Sequence, residues 1–176
     1  MPNWCQNNLR IRGNGEKVME VLAILKDDDG NVTFNNVAPL PEELRGTTAP
    51  TPDDVPEEER KRLKDKYGAD NWYDWQIKNW GCKWDASESN FWEEDGDPIV
   101  SFQTPWGPPI EFIRKLSKLF KNMTFEIQFA DESEHDAPIG GAEIKDGCVE
   151  YYGPEAATPE ATLFGVGVWE GEWMDA

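Results

Sequence analysis

Across residues 123–130, Met123, Phe125, Ile127 and Phe129 alternate with Thr124, Glu126 and Gln128. In an extended chain every second side chain points to the same face, so this segment predicts a β-strand with one face in a core. Strands and helices elsewhere in the chain must cover that face.

Residues 7–12 predict a short first strand, with Leu9 and Ile11 on one face and Arg10 and Arg12 on the other. Gly13-Asn14-Gly15 ends it. A helix follows with Val18, Val21, Leu22 and Leu25 at i, i+3, i+4 and i+7 and Asn14 as N-cap, closed by Asp27-Asp28-Asp29-Gly30. Residues 83–93 and 98–104 predict a hairpin, with Val100 and Phe102 on one face and Pro105 stopping the ladder. Pro108-Pro109 suits a helix start, and Ile113, Leu116, Leu119 and Phe120 form the buried stripe that follows. A last hairpin, 142–145 with 148–152, turns at Asp146-Gly147, a pair that favours the type I′ turn.

In order this is strand, helix, two strands, helix, strand and an extra C-terminal hairpin. It predicts an α+β protein with a ferredoxin-like βαββαβ core over about residues 5–130. Five prolines and a charged helix over residues 57–66 mark an insertion at about 38–80, which leads into Trp72, Trp75, Trp80 and Trp84. At 176 residues one domain is expected, with an acidic extension over about 131–176. Residues 156–176 give no single assignment.

The net charge is −18, and residues 126–176 hold 13 Asp and Glu against the single Lys145. Such a surface repels nucleic acid and anionic lipid and attracts basic partners. Solvation of the chain is the plainer use of the same charge. No apolar run reaches membrane-spanning length and the first residues lack a signal-peptide pattern, so a cytoplasmic protein is expected. Cys5, Cys82 and Cys148 are odd in number and far apart, which predicts reduced, mostly buried thiols without a zinc site or disulfide framework.

Three stretches, Met1-Pro2-Asn3-Trp4-Cys5-x-Asn7, Trp80-Gly81-Cys82-Lys83-Trp84-Asp85-Ala86 and Phe102-x-Thr104-Pro105-Trp106-x-Pro108-Pro109, together resemble the YubB-type ferredoxin-like family of plasmids and phages. The resemblance covers residues 1 to about 141. It implies a ferredoxin-like core and a mobile-element origin, and it brings no catalytic residues with it.

No catalytic constellation stands out, so no enzyme and no cofactor are expected. The lone His135 lies in Asp131-Glu132-Ser133-Glu134-His135-Asp136, which lacks the ligand spacing and central glycine of an EF-hand loop and reads as a solvated acidic loop with no metal. Gly13-Asn14-Gly15 reads as a tight turn, since Val18 and Glu16 do not suit a phosphate cradle. Aromatic planes beside a cation can anchor a partner or stack bases, which singles out Lys83, Trp84, Asp85, Trp92 and Trp106. Against this stands the reading of Trp80, Trp84 and Trp106 as indoles packed beneath loops.

The first expectation is therefore a non-enzymatic binder of a host protein with a basic surface, with Glu132, Glu134 and Asp136 in the acidic contact. Single-stranded DNA binding on the sheet face, with Trp84 and Trp106 stacking bases and Lys83 or Arg10 meeting phosphates, ranks behind it. Capture of a small nucleotide ligand ranks third.

Overall fold

The computed structural model describes residues 3–133, 138–155 and 157–174. The chain runs β1 (Trp4–Arg12), α1 (Gly15–Ile24), α2 (Glu42–Arg45), α3 (Glu57–Tyr67), α4 (Trp72–Trp80), β2 (Ser87–Glu94), β3 (Asp97–Pro105), α5 (Ile110–Leu119), β4 (Thr124–Asp131), β5 (Ile139–Lys145), β6 (Cys148–Tyr152) and α6 (Pro159–Glu170). The strands form one antiparallel sheet in the order β2-β3-β1-β4-β5-β6. The succession β1-α1-β2-β3-α5-β4 is the predicted βαββαβ core, and β5-β6 is the predicted extra hairpin.

Local chemistry places these elements. Asn14 caps α1 by accepting from the Glu16 and Lys17 amides. Both two-residue hairpin turns, Asp95-Gly96 and Asp146-Gly147, have positive φ at both positions, as a type I′ turn requires. On one face of the sheet, Leu9, Ile11, Val100, Phe102, Phe125 and Ile127 pack beneath Val21 and Leu25 of α1 and Phe112, Ile113 and Leu116 of α5. The segment between α1 and β2 joins this core through Leu44, Leu63, Trp75 and Trp80, and the Trp80 indole donates to the Ala38 carbonyl.

The opposite face is polar, and α6 lies across it. The Asn8 amide donates to the Val168 carbonyl, while Gln128 donates to the Met174 carbonyl at 2.6 Å and accepts from the Met174 amide at 2.9 Å. A small apolar cluster of Ala130, Ile139, Phe164, Val168 and Met174 completes the contact. The tail beyond Ala156, unassigned from sequence, is therefore largely a helix that covers a sheet face.

Candidate functional site

Two regions carry most of the molecule's unspent chemistry. The first is an aromatic row at the end of the sheet where β1 begins and β3 and β4 finish. The Lys83 ammonium sits 4.5 Å from the Trp84 ring centre and 4.7 Å from that of Trp106, a double cation–π arrangement. Trp84 continues to Trp4 at 6.3 Å, and Trp106 to Tyr73 at 6.4 Å and then to Trp72.

Trp106 is held in a left-handed backbone conformation, φ 69°, which costs a residue with a Cβ roughly 1–3 kcal/mol. The turn is pinned from below. The Asn7 amide donates to the Thr104 hydroxyl, Thr104 donates to the Gly107 carbonyl, and the Trp106 amide donates to the Asn3 carbonyl. Trp84 and Trp106 remain 38% and 46% exposed, whereas Trp80 is buried. Packing beneath loops thus describes Trp80 and not the other two.

Beside this row opens a cavity of about 480 Å³ whose lining includes Arg60, Lys64, Asp70, Trp72, Tyr73 and Lys83. Lys64 is spoken for by Asp70 at 3.1 Å. Arg60 donates to the Pro52 carbonyl, and its Nε is buried without a partner.

Three of the residues singled out from sequence do not join Lys83, Trp84 and Trp106 as a contact surface. Asp85 is turned inward: its carboxylate accepts from the Thr33 hydroxyl, the Phe34 and Ala86 amides and the Asn35 side chain, so it ties the 33–35 loop to β2. Trp92 belongs to the opposite sheet face, where its ring lies near Gly171. Arg10 is buried there too, its guanidinium 4.0 Å from the Trp173 ring centre and 3.6 Å from Glu94. With α6 over that face, base stacking and phosphate contact on the sheet as expected from the sequence are corrected: neither Trp84 nor Trp106 lies on it, and Arg10 is not free to meet a phosphate.

The second region is the acidic C-terminal third. Glu132 is exposed and accepts from the Trp4 amide at 2.9 Å, which joins this region to the aromatic row. Glu134, Asp136 and the neighbouring His135 lie outside the described residues. Glu126 bonds Arg12 at 2.9 Å. None of Asp131, Glu132, Glu143, Asp146, Glu150, Glu155, Glu160, Glu170 and Glu172 has a described Lys or Arg within ion-pair distance. Glu126, Glu143 and Glu150 even stand opposite one another on adjacent strands.

Among the described residues no group of three or more His, Cys, Asp or Glu converges as a metal site. Cys5 and Cys82 are buried and their thiols pushed up by that burial, which keeps them protonated and unreactive, while Cys148 is exposed. No described helix is long and apolar enough to cross a membrane.

Sequence reasoning missed Trp4, Trp72 and Tyr73 as members of the aromatic row, and it missed α6. A signal for α6 was present: Thr158 caps it by accepting from the Ala161 amide, Pro159 opens it, and Ala161, Phe164 and Val168 recur at i, i+3 and i+7.

Sheet order and helix placement define a ferredoxin-like α+β protein. Residues 79–164 are similar to the family model described as the ferredoxin-like domain in Api92-like protein. The match is to the Api92-like description rather than to the YubB type. A crystal structure of a protein api92 from Yersinia pseudotuberculosis is similar at 12% identity, with a TM-score of 0.48, over 88% of this chain and 99% of that one. No curated protein matches the chain.

Proposed function

We propose that this chain is a non-enzymatic binding protein that engages a protein with a basic surface through its acidic C-terminal third. The observation that carries this reading is the lack of any described cation paired to nine carboxylates between Asp131 and Glu172. Unneutralised charge of one sign attracts a complementary surface, speeds encounter and rejects phosphate backbones. A mobile-element origin, implied by the resemblance of three sequence stretches to a plasmid and phage family, would make a host nucleic-acid-binding or defence protein the natural target for occupation and inhibition. Affinity capture with the full chain tests it. A bacterial protein identified by mass spectrometry, and then purified, should bind at low salt and be released at high salt. Binding should weaken when Glu132, Glu170 and Glu172 are changed to Gln. Binding indifferent to both salt and these substitutions overturns the reading.

A second reading has its own support in the cavity where Arg60 and Lys83 meet Trp72 and Tyr73. Cations beside aromatic planes suit a small ligand with a flat ring and an anionic group, such as a nucleotide. ATP should then raise the melting temperature of the wild-type chain and not of Lys83→Ala. No shift with wild type removes this reading.

A further inference from the structure

Helix α6 is apolar on both sides. Its inner side, Ala161, Phe164, Gly167 and Val168, is buried on the sheet, yet its outer side exposes Leu163 at 68%, Val166 at 50% and Trp169 at 37%. A surface helix ordinarily turns polar residues outward, and a helix apolar all round belongs in an interior. Val166 and Trp169 also line a groove of about 350 Å³ against Pro138 and Ile139, and its remaining lining includes Asp131, Glu132 and Glu170. The lining of the groove thus combines apolar side chains with three carboxylates.

The end of the helix adds to the negative field. Unsatisfied carbonyls give a helix C-terminus a partial negative charge that a Lys or Arg normally complements. In α6 no basic residue occupies the last turn; Glu170 stands there instead, and Glu172 follows the Gly171 cap.

We propose that the outer face of α6, with Leu163, Val166 and Trp169 as its apolar stripe and the carboxylates of Asp131, Glu132 and Glu170 beside it, docks a cationic amphipathic segment of the partner protein. The inference rests on the acidic-surface reading above and adds to it the shape and apolar content of what binds. Charge selects this occupant. A second copy of the chain would bring a net charge of −18 against −18, and an anionic membrane is repelled in the same way. A segment with Leu-type side chains on one side and Lys or Arg flanking them satisfies the stripe and the carboxylates together.

The probe is a helical peptide of Leu and Lys in amphipathic order, set against a scrambled peptide of the same composition, each titrated calorimetrically into the full chain. The ordered peptide should bind at least about tenfold more tightly. That advantage should vanish in the double variant Leu163→Ser/Val166→Ser, whose substituted side chains are exposed, and salt dependence should fall in Glu170→Gln. If both peptides bind equally and salt weakens both, the docking inference fails while the acidic-surface reading stands. If neither binds, both fail. A concentration-dependent dimer of the wild-type chain, abolished in the double variant, would give the face to a second copy and overturn the proposal.

Discussion

The α2–α4 segment and the C-terminal third are both dense in charge, and they use it in opposite ways. In α2–α4, five of the ten acidic side chains, those of Glu42, Glu43, Asp53, Glu59 and Asp70, reach an Arg or Lys. Glu43 accepts from Arg62, Lys66 and the Tyr67 hydroxyl, Glu59 binds Arg62, Glu42 binds Arg45, and Asp70 binds Lys64. In the C-terminal third Glu126 reaches Arg12, and the nine carboxylates between Asp131 and Glu172 have no described Lys or Arg within reach. The lesson is that net charge does not say which carboxylates are left without a cation, whereas pairing does. A mosaic of exposed ion pairs is self-contained and contributes little stability, about 0–1 kcal/mol per pair. Unanswered charge remains available to something else.

If the mosaic is only a wet exterior, α2–α4 must be held by its apolar side. Trp80→Ala should then have the largest effect of any single change considered. The indole is fully buried against Phe34 and Trp75 and donates to Ala38, so its loss should cost about 3–5 kcal/mol in urea unfolding. A loss below about 1 kcal/mol would mean that the segment is fastened by its charges after all, and would break the contrast.

In the C-terminal third the corresponding test lies at Gly141. Tyr152 lies across this residue and donates to Glu126 at 2.8 Å, and a Cβ at position 141 would overlap its ring. Gly141→Ala should push the ring aside and destabilise by about 1–3 kcal/mol, with little effect on the α6 face. An unchanged unfolding midpoint would show that the tyrosine is not wedged there.

The same comparison explains what the sequence could and could not convey. The alternation in β4, the i, i+3, i+4, i+7 stripe of α1 and the Asp146-Gly147 turn are local rules, and the structure follows each. The charged helix over 57–66 was equally legible as a helix, although only Glu59–Arg62 pairs within it and its other pairs reach Glu43, Asp53 and Asp70. The aromatic row was legible only in part: Lys83, Trp84 and Trp106 stood out as aromatic planes beside a cation, whereas Trp4, Trp72 and Tyr73 join them only when the chain folds. Asp85 looked like part of a binding cluster beside Lys83 and Trp84, but its carboxylate is consumed by the 33–35 loop, a contact spanning about fifty residues. Only the count of acids in the last third was visible, and not their lack of partners.

A smaller effect should appear where Glu126, Glu143 and Glu150 face one another across β4, β5 and β6. Like charges directly opposite on a sheet are destabilising, and opposite charges are worth about 0.2–1 kcal/mol. Glu143→Lys, placing a cation between two carboxylates at an exposed position, should therefore stabilise the fold and raise the melting temperature by about 1–4 °C. An equivalent reversal inside the mosaic, such as Glu59→Lys, should lower it. Should both variants move the same way, the distinction between paired and unpaired regions would not hold.

The smallest expected effect is also the most specific to pairing. Hydrogen bonds from Lys66 first, then Tyr67 and Arg62, hold the Glu43 carboxyl at about 2, below its ordinary 4.5. A carboxyl held low in the folded chain stabilises the fold fully above its ordinary value, and that contribution is lost as pH falls from about 4.5 towards 2. Glu43 is solvent-facing, so the effect is modest. Glu43→Gln should melt slightly below wild type at neutral pH, and the gap should close as pH approaches 2. Persistence of the gap at the acid end would mean that packing rather than charge joins Glu43 to α3. The mosaic would then no longer be the self-neutralised counterpart against which the bare acidic third stands out.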